Sequence, residues 1–240
     1  GIYSLLSNDI EESACVTLKI NNPEIKVLCG DITKEETKAA IEKAALEGEA
    51  DIICGGPPCQ GFSMAGFRAA DDPRNQLFRE FVDIVKRVNP IVIVFENVEG
   101  LLSYQGGKTY CEVHTLFAKL GYLTEGRTLM ASDFAVPQKR KRVILICTRK
   151  DIAISPGELF PSPITVEEAC QVTVRETIAD LETVPCDDTA RYADCDESEI
   201  LKFFKGEITY EEYINLKTPD DFEKEKTEEA YKQLSFIDLL

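Results

Sequence analysis

Short apolar runs alternate with longer helical patterns through residues 1–150, and this alternation limits the chain to few folds. Ile2–Ser7, Ile25–Cys29, Asp51–Cys54, Ile91–Phe95 and Arg142–Cys147 each read as a strand bounded by turn residues. Between them, Glu11–Asn21, Thr33–Glu47, Pro73–Val88 and Tyr110–Leu120 carry helical spacing, with Thr33 placed as an N-cap. The third of these is the most amphipathic: Leu77, Phe81, Ile84, Val85 and Val88 share a face, and Asn89-Pro90 stops it. Strands that alternate with helices predict an α/β fold with a doubly wound, mostly parallel sheet. Open sheets of this kind keep their active sites at the carboxyl ends of the strands.

Three clusters fall at expected strand ends. Gly55-Gly56-Pro57-Pro58-Cys59-Gln60 follows the third strand, and its two prolines hold the cysteine in a rigid turn. Glu96-Asn97-Val98 closes the strand Ile91–Phe95, and Gln138-Lys139-Arg140-Lys141-Arg142 opens the strand Arg142–Cys147. Taken singly, they read as a structural turn, a helix cap and a solvated basic run. Taken together they supply a thiol, a carboxylic acid and two guanidiniums. That set suits nucleophilic addition to a polarised ring, because neighbouring arginines favour the reactive thiolate. A cysteine protease would need a histidine base, and the one histidine, His114, sits in a helical pattern. The nine cysteines include no C-x-x-C pair, so no metal site is expected.

In this order the three clusters resemble the signature of the DNA (cytosine-5)-methyltransferase family, over about residues 1–180. The resemblance implies a Rossmann-like methyltransferase domain that uses S-adenosylmethionine and acts on double-stranded DNA with the cytosine flipped out of the stack. It makes Cys59 the nucleophile that adds to cytosine C6 and Glu96 the partner of N3 and the exocyclic amine. Arg140 and Arg142 hold the thiol and cytosine O2. It assigns Asp9, Ile10, Asp31, Ile32, Pro57 and Leu77 to the cofactor. Pro58, Gln60, Ser63, Arg68, Arg74, Asn97 and Gln138 go to the substrate. Val172–Leu181 resembles the family's segment after the arginine strand.

The chain also departs from that pattern. The glycine-rich turn for the methionine end of the cofactor is not found, nor is a long basic target-recognition region after residue 150. Leu234–Leu240 reads either as an ordinary apolar end segment or as a likeness of the strand that opens the family's catalytic domain. Residues 1–150 are expected to form the catalytic core, 151–185 a linker and the end of the catalytic region, and 186–240 an acidic, weakly structured or small helical segment. The first 150 residues hold 19 Lys+Arg against 20 Asp+Glu, whereas residues 151–240 hold 8 against 23, so the acidity belongs to the second part. Such a surface would repel nucleic acid and could dock a basic partner chain that carries target recognition. The alternatives are a catalytically incomplete or split subunit and a tRNA cytosine-5 methyltransferase. No apolar run long enough to span a membrane and no signal-peptide pattern is present, so a reducing cytoplasmic or nuclear compartment is expected.

Overall fold

The computed structural model describes residues 2–58, 77–165, 171–178, 202–203 and 205–217. The chain divides into two compact units. The first holds residues 1–128 and 142–160, and the second holds 129–141 and 161–239.

In the first unit, β1 (Ser7–Asp9) pairs in parallel with β2 (Val27–Cys29), in the register Ser7↔Val27 to Asp9↔Cys29. Helix α1 (Glu12–Asn21) joins them. The expected strand Ile2–Ser7 is displaced toward the C-terminus: Ile2 and Tyr3 are 66% and 90% exposed, and pairing begins with Ser7 N donating to Lys26 O. Among the described residues no strand pairs with residues 2–6, so no ladder there holds this apolar run.

Helix α2 (Glu35–Glu47) follows. Thr33 does not cap it; the Asp31 carboxylate instead accepts the Thr33 amide at 2.9 Å, and the helix begins two residues later. Strand β3 (Ile52–Gly55) then leads into the cysteine turn, and α3 (Leu77–Val88) follows that turn. Helix α3 is half core: Phe78, Phe81, Val82, Ile84, Val85 and Val88 are buried, as the helical spacing predicts. Asn89 ends it in the left-handed region at φ 52°, where asparagine is tolerated.

Strand β4 (Val92–Val98) runs parallel to β3, from Ile52↔Val92 to Gly55↔Phe95. On its other side, β6 (Lys141–Arg149) runs antiparallel, from Val92↔Thr148 to Val98↔Arg142. The order is β3-β4-β6-β5, with β5 (Tyr122–Met130) beside β6. Helices α4 (Gly100–Ser103) and α5 (Lys108–Lys119) lie between β4 and β5 in sequence. The fold is α/β as expected, but the four-stranded sheet is mixed rather than mostly parallel. Sequence patterning had not identified β5.

The core packs α3 and α5 on this sheet. Phe81, Phe95 and Phe117 meet edge to face, with centroids 5.7 to 6.5 Å apart, the geometry aromatic quadrupoles favour. A smaller cluster of Ala45, Ile84 and Val88, with Ile32, Ile41 and Ile53 against it, seats α2 on the back of α3.

In the second unit, Ala135, Val172 and Tyr213 form a separate cluster, and Phe203 stacks on Tyr213 at 5.8 Å. Helices α6 (Val174–Ile178) and α7 (Tyr210–Lys217) each begin with a capping box, Thr173 with Glu176 and Thr209 with Glu212. Among the described residues no helix is long and apolar enough to cross a membrane.

Candidate active site

Strand β4 outruns its parallel neighbour. Strand β3 stops at Gly55, opposite Phe95, whereas β4 continues through Glu96, Asn97 and Val98 because β6 still pairs with it on the other side. Glu96-Asn97-Val98 is therefore part of the strand itself, which runs three residues past the expected end at Phe95. Its other edge faces Gly56 and Pro57, and proline has no amide to continue a ladder.

Two side chains use that overhang. Asn97, 4% exposed, donates its amide nitrogen to Pro57 O at 3.1 Å and accepts the Val98 amide at 2.9 Å. The carbonyl two residues before Cys59 is thereby tied to the central strand. Glu96 is half-buried and receives Arg142 Nε on its Oε1 at 2.7 Å. Arg142 stands opposite Val98, two positions from Glu96, so the two side chains share one face as a diagonal cross-strand pair. A charge-assisted bond of this length fixes the carboxyl group's direction.

Gly56 completes the seat. A Cβ there would lie 2.6 Å from Glu96 Oε2, so only glycine lets the carboxylate rest against the turn. Gly55 plays the matching role on the core side, since its Cβ would lie 2.3 Å from the Phe81 ring. Sequence reading had given Gly56 no role. The available signal was the doubled glycine between an apolar strand and a Pro-Pro turn, a mark of close backbone approach.

The structure thus brings together Pro57, Glu96, Asn97 and Arg142. Pro58 follows in the same exposed turn, and Leu77 is the half-buried first residue of α3. Gln138 and Arg140 are exposed and belong to the second unit. There the Arg140 amide donates to Gln138 O at 3.0 Å, and Arg140 O accepts from Ala131 N at 2.8 Å. Cys59, Gln60, Ser63, Arg68 and Arg74 lie outside the described residues.

A second group stands at the carboxyl ends of β1 and β2. Asn8 donates its side-chain amide to Leu28 O at 3.0 Å and Gly30 O at 2.9 Å, and Gly30 N donates to Asp9 O at 2.8 Å, so the two strand ends are locked together. Asp9 Oδ1 accepts the Glu11 amide at 2.9 Å, which leaves Oδ2 without a bond to the described residues. The Thr33 amide holds the Asp31 carboxyl below its ordinary range. Ile10 is 68% exposed, and Ile32 is half-buried on the cluster behind α3. Two carboxylates beside an exposed isoleucine form a donor-poor, acceptor-rich ledge with an apolar surface. That composition fits a nucleoside, whose hydroxyls donate and whose base is flat.

The pattern of the C-5 cytosine-specific DNA methylase family matches residues 1–235. The chain belongs to that family. It is 43% identical over 171 residues to the type II methyltransferase M1.HphI of Haemophilus parahaemolyticus, covering 70% of this chain and 44% of that one. It is 35% identical over 228 residues to M.XorII of Xanthomonas oryzae, covering 92% and 50%. A crystal structure described as a DNA modification methyltransferase encoded within an Escherichia coli prophage superposes with a TM-score of 0.58 at 27% identity, over 76% of this chain and 49% of the other. The chain spans about half the length of these relatives. Members of this methylase family use S-adenosylmethionine, and DNA is the family's substrate.

Proposed function

We propose that the protein transfers a methyl group to C5 of cytosine in DNA through a covalent adduct between Cys59 and cytosine C6. The observation that carries this reading is the Glu96 carboxyl group. It is held between Gly56 and Arg142 on the strand next to the cysteine turn. The Cys59 thiolate adds to C6 of a cytosine drawn out of the duplex. Glu96 binds the N3 and exocyclic-amine edge, which draws electron density from the ring and makes C6 electrophilic. Arg142 keeps that carboxyl aimed, and Arg140 holds cytosine O2. Asn97 acts on the thiol indirectly, by anchoring the Pro57 carbonyl. Addition leaves C5 nucleophilic; S-adenosylmethionine, when bound, supplies the electrophilic methyl group. Loss of the C5 proton and elimination of the thiol restore the ring.

The ledge at β1 and β2 suits the nucleoside half of that donor. Asp9 would take the ribose hydroxyls, and Asp31, Ile10 and Ile32 would take the adenine. Pro57 and Leu77 would line the donor site, and Pro58, Gln60, Ser63, Arg68, Arg74 and Gln138 the DNA side. We assign residues 1–150 to the catalytic core, 151–185 to its closing segment and 186–240 to a separate acidic segment, which fits a basic partner chain carrying target recognition. The bacterial relatives and the free thiols support a reducing cytoplasm.

The test is trapping on a duplex carrying 5-fluorocytosine, in the presence of S-adenosylmethionine. Fluorine cannot leave as the proton does, so the adduct should persist through denaturing electrophoresis. Cys59→Ser should abolish it. A trapped complex that survives this substitution would remove Cys59 from its role. Trapping of a tRNA carrying 5-fluorocytosine but not of the DNA would overturn the choice of substrate.

A further inference from the structure

We infer that Cys15 and Cys29 form an oxidant-sensitive dithiol beside the donor ledge, closing to a disulfide with peroxide and loosening the Asp9-Ile10 turn. The consequence for the donor rests on the reading of Asp9 and Ile10 given above; the disulfide itself does not.

Two sulfur–carbonyl contacts and the strand register place the two thiols on one turn. Cys15 is the buried residue of α1, and its Sγ donates to Asp9 O at 3.6 Å. Cys29 ends β2 in register with Asp9, is exposed, and donates its Sγ to Ile10 O at 3.8 Å. The two sulfurs therefore sit on the carbonyls of consecutive residues of one turn. Burial first, then the neighbouring Cys29 thiol, pushes the Cys15 thiol above its ordinary range. Of the other free thiols described, Cys54 lies on β3, Cys111 on α5 and Cys147 inside β6, where its partner is the Thr124 hydroxyl.

Exposure makes Cys29 the point of entry. Its sulfur attacks one oxygen of hydrogen peroxide, the O–O bond breaks, and the departing oxygen leaves as water, giving a sulfenic acid. The Cys15 sulfur then displaces the hydroxyl of that acid as a second water, giving up its own proton, and the S–S bond forms. Two electrons pass from the two sulfurs to one peroxide. Both thiol donors to the Asp9 and Ile10 carbonyls are lost in the product, and a dithiol reductant reverses it.

The full chain is treated with hydrogen peroxide, quenched, and digested without reduction. Trypsin cuts after Lys19 and Lys26, between the two cysteines, so the bridge appears by mass spectrometry as two joined peptides. Binding of S-adenosylmethionine is measured in parallel. Expected are the joined peptides, binding weakened about threefold to tenfold and restored by dithiothreitol, and neither effect in Cys29→Ser. Sulfenic acid trapped on Cys29 by dimedone with no joined peptide would overturn the dithiol. A complete bridge that leaves binding unchanged, in a protein whose Asp9→Ala variant has lost binding, would overturn the coupling and spare the donor reading. An Asp9→Ala variant that binds normally would instead overturn the donor reading, leaving the bridge to be judged by the peptides.

Discussion

A single missing methyl group decides where Glu96 can sit. Gly56 has no positive φ to demand glycine, so the requirement comes from the 2.6 Å approach of Glu96 Oε2 alone. Gly56→Ala should therefore push the carboxylate off its seat, away from Arg142, without breaking the backbone. We expect the rate of adduct formation to fall about tenfold or more, because a displacement of about an ångström at a reacting group costs on that order, while stability changes by less than about 1 kcal/mol. Stopped-time trapping and thermal unfolding of the same variant check both halves. A variant that traps at the native rate would show that the carboxylate has room to spare. Residue types in the three clusters were legible in the sequence because each carries chemistry its neighbours cannot supply. Their partners were not: that Arg142 pairs with Glu96, and that Asn97 spends its amide on Pro57, follows from strand register, which three separated motifs do not encode.

Elements were legible where one face decides everything. Helix α3 follows its periodicity because Phe78, Phe81, Val82 and Val85 are buried against the sheet. Strand β5 hid because its middle reads Glu125-Gly126-Arg127. Its polar side chains satisfy each other, with Arg127 on Glu125 at 2.6 Å and its guanidinium 4.4 Å from the Phe160 ring. The end of β4 hid for another reason: its last residues are strand only because β6 lies beside them. Packing of α3 on β3 depends on Gly55, where a Cβ would come within 2.3 Å of the Phe81 ring. Gly55→Ala should destabilise by about 1–3 kcal/mol through overpacking. Phe81→Leu removes the ring the methyl group meets, so the double variant should be less destabilised than the sum of the single ones. Denaturant unfolding of the four proteins measures this, and strict additivity would mean that α3 does not rest on Gly55.

Charge organises the first unit at the largest scale described, by tying α2 to α3. Asp83 accepts Lys38 at 3.0 Å and Arg87 at 3.1 Å, and Arg87 also holds Glu35 at 2.6 Å. Lys38 is bonded to Glu80 as well and is held above its ordinary range by that contact first. The Arg87 bond draws the Glu35 carboxyl below its ordinary range. Burial works the other way at Asp83, but Lys38 and Arg87 outweigh it and the net shift is again downward. Carboxyl groups lowered by folding contribute stability that is complete above their ordinary values, near about pH 4, and is lost as pH falls through the lowered ones. The lysine works in the opposite direction: its contribution is present below about pH 10 and lost only as pH rises through its raised value. Between these limits the network contributes a constant amount, modest because its members are partly exposed. Stability should thus be flat across neutral pH and fall on the acid side. Asp83→Asn keeps the shape but removes the shared charge, so its melting temperature should lie below that of the native protein at pH 7 and approach it as pH drops below about 4. Thermal unfolding across pH 3–8 provides the comparison. Parallel curves for the two proteins would mean that Asp83 titrates alike in the folded and unfolded chain, and that apolar packing behind α3 alone joins the two helices.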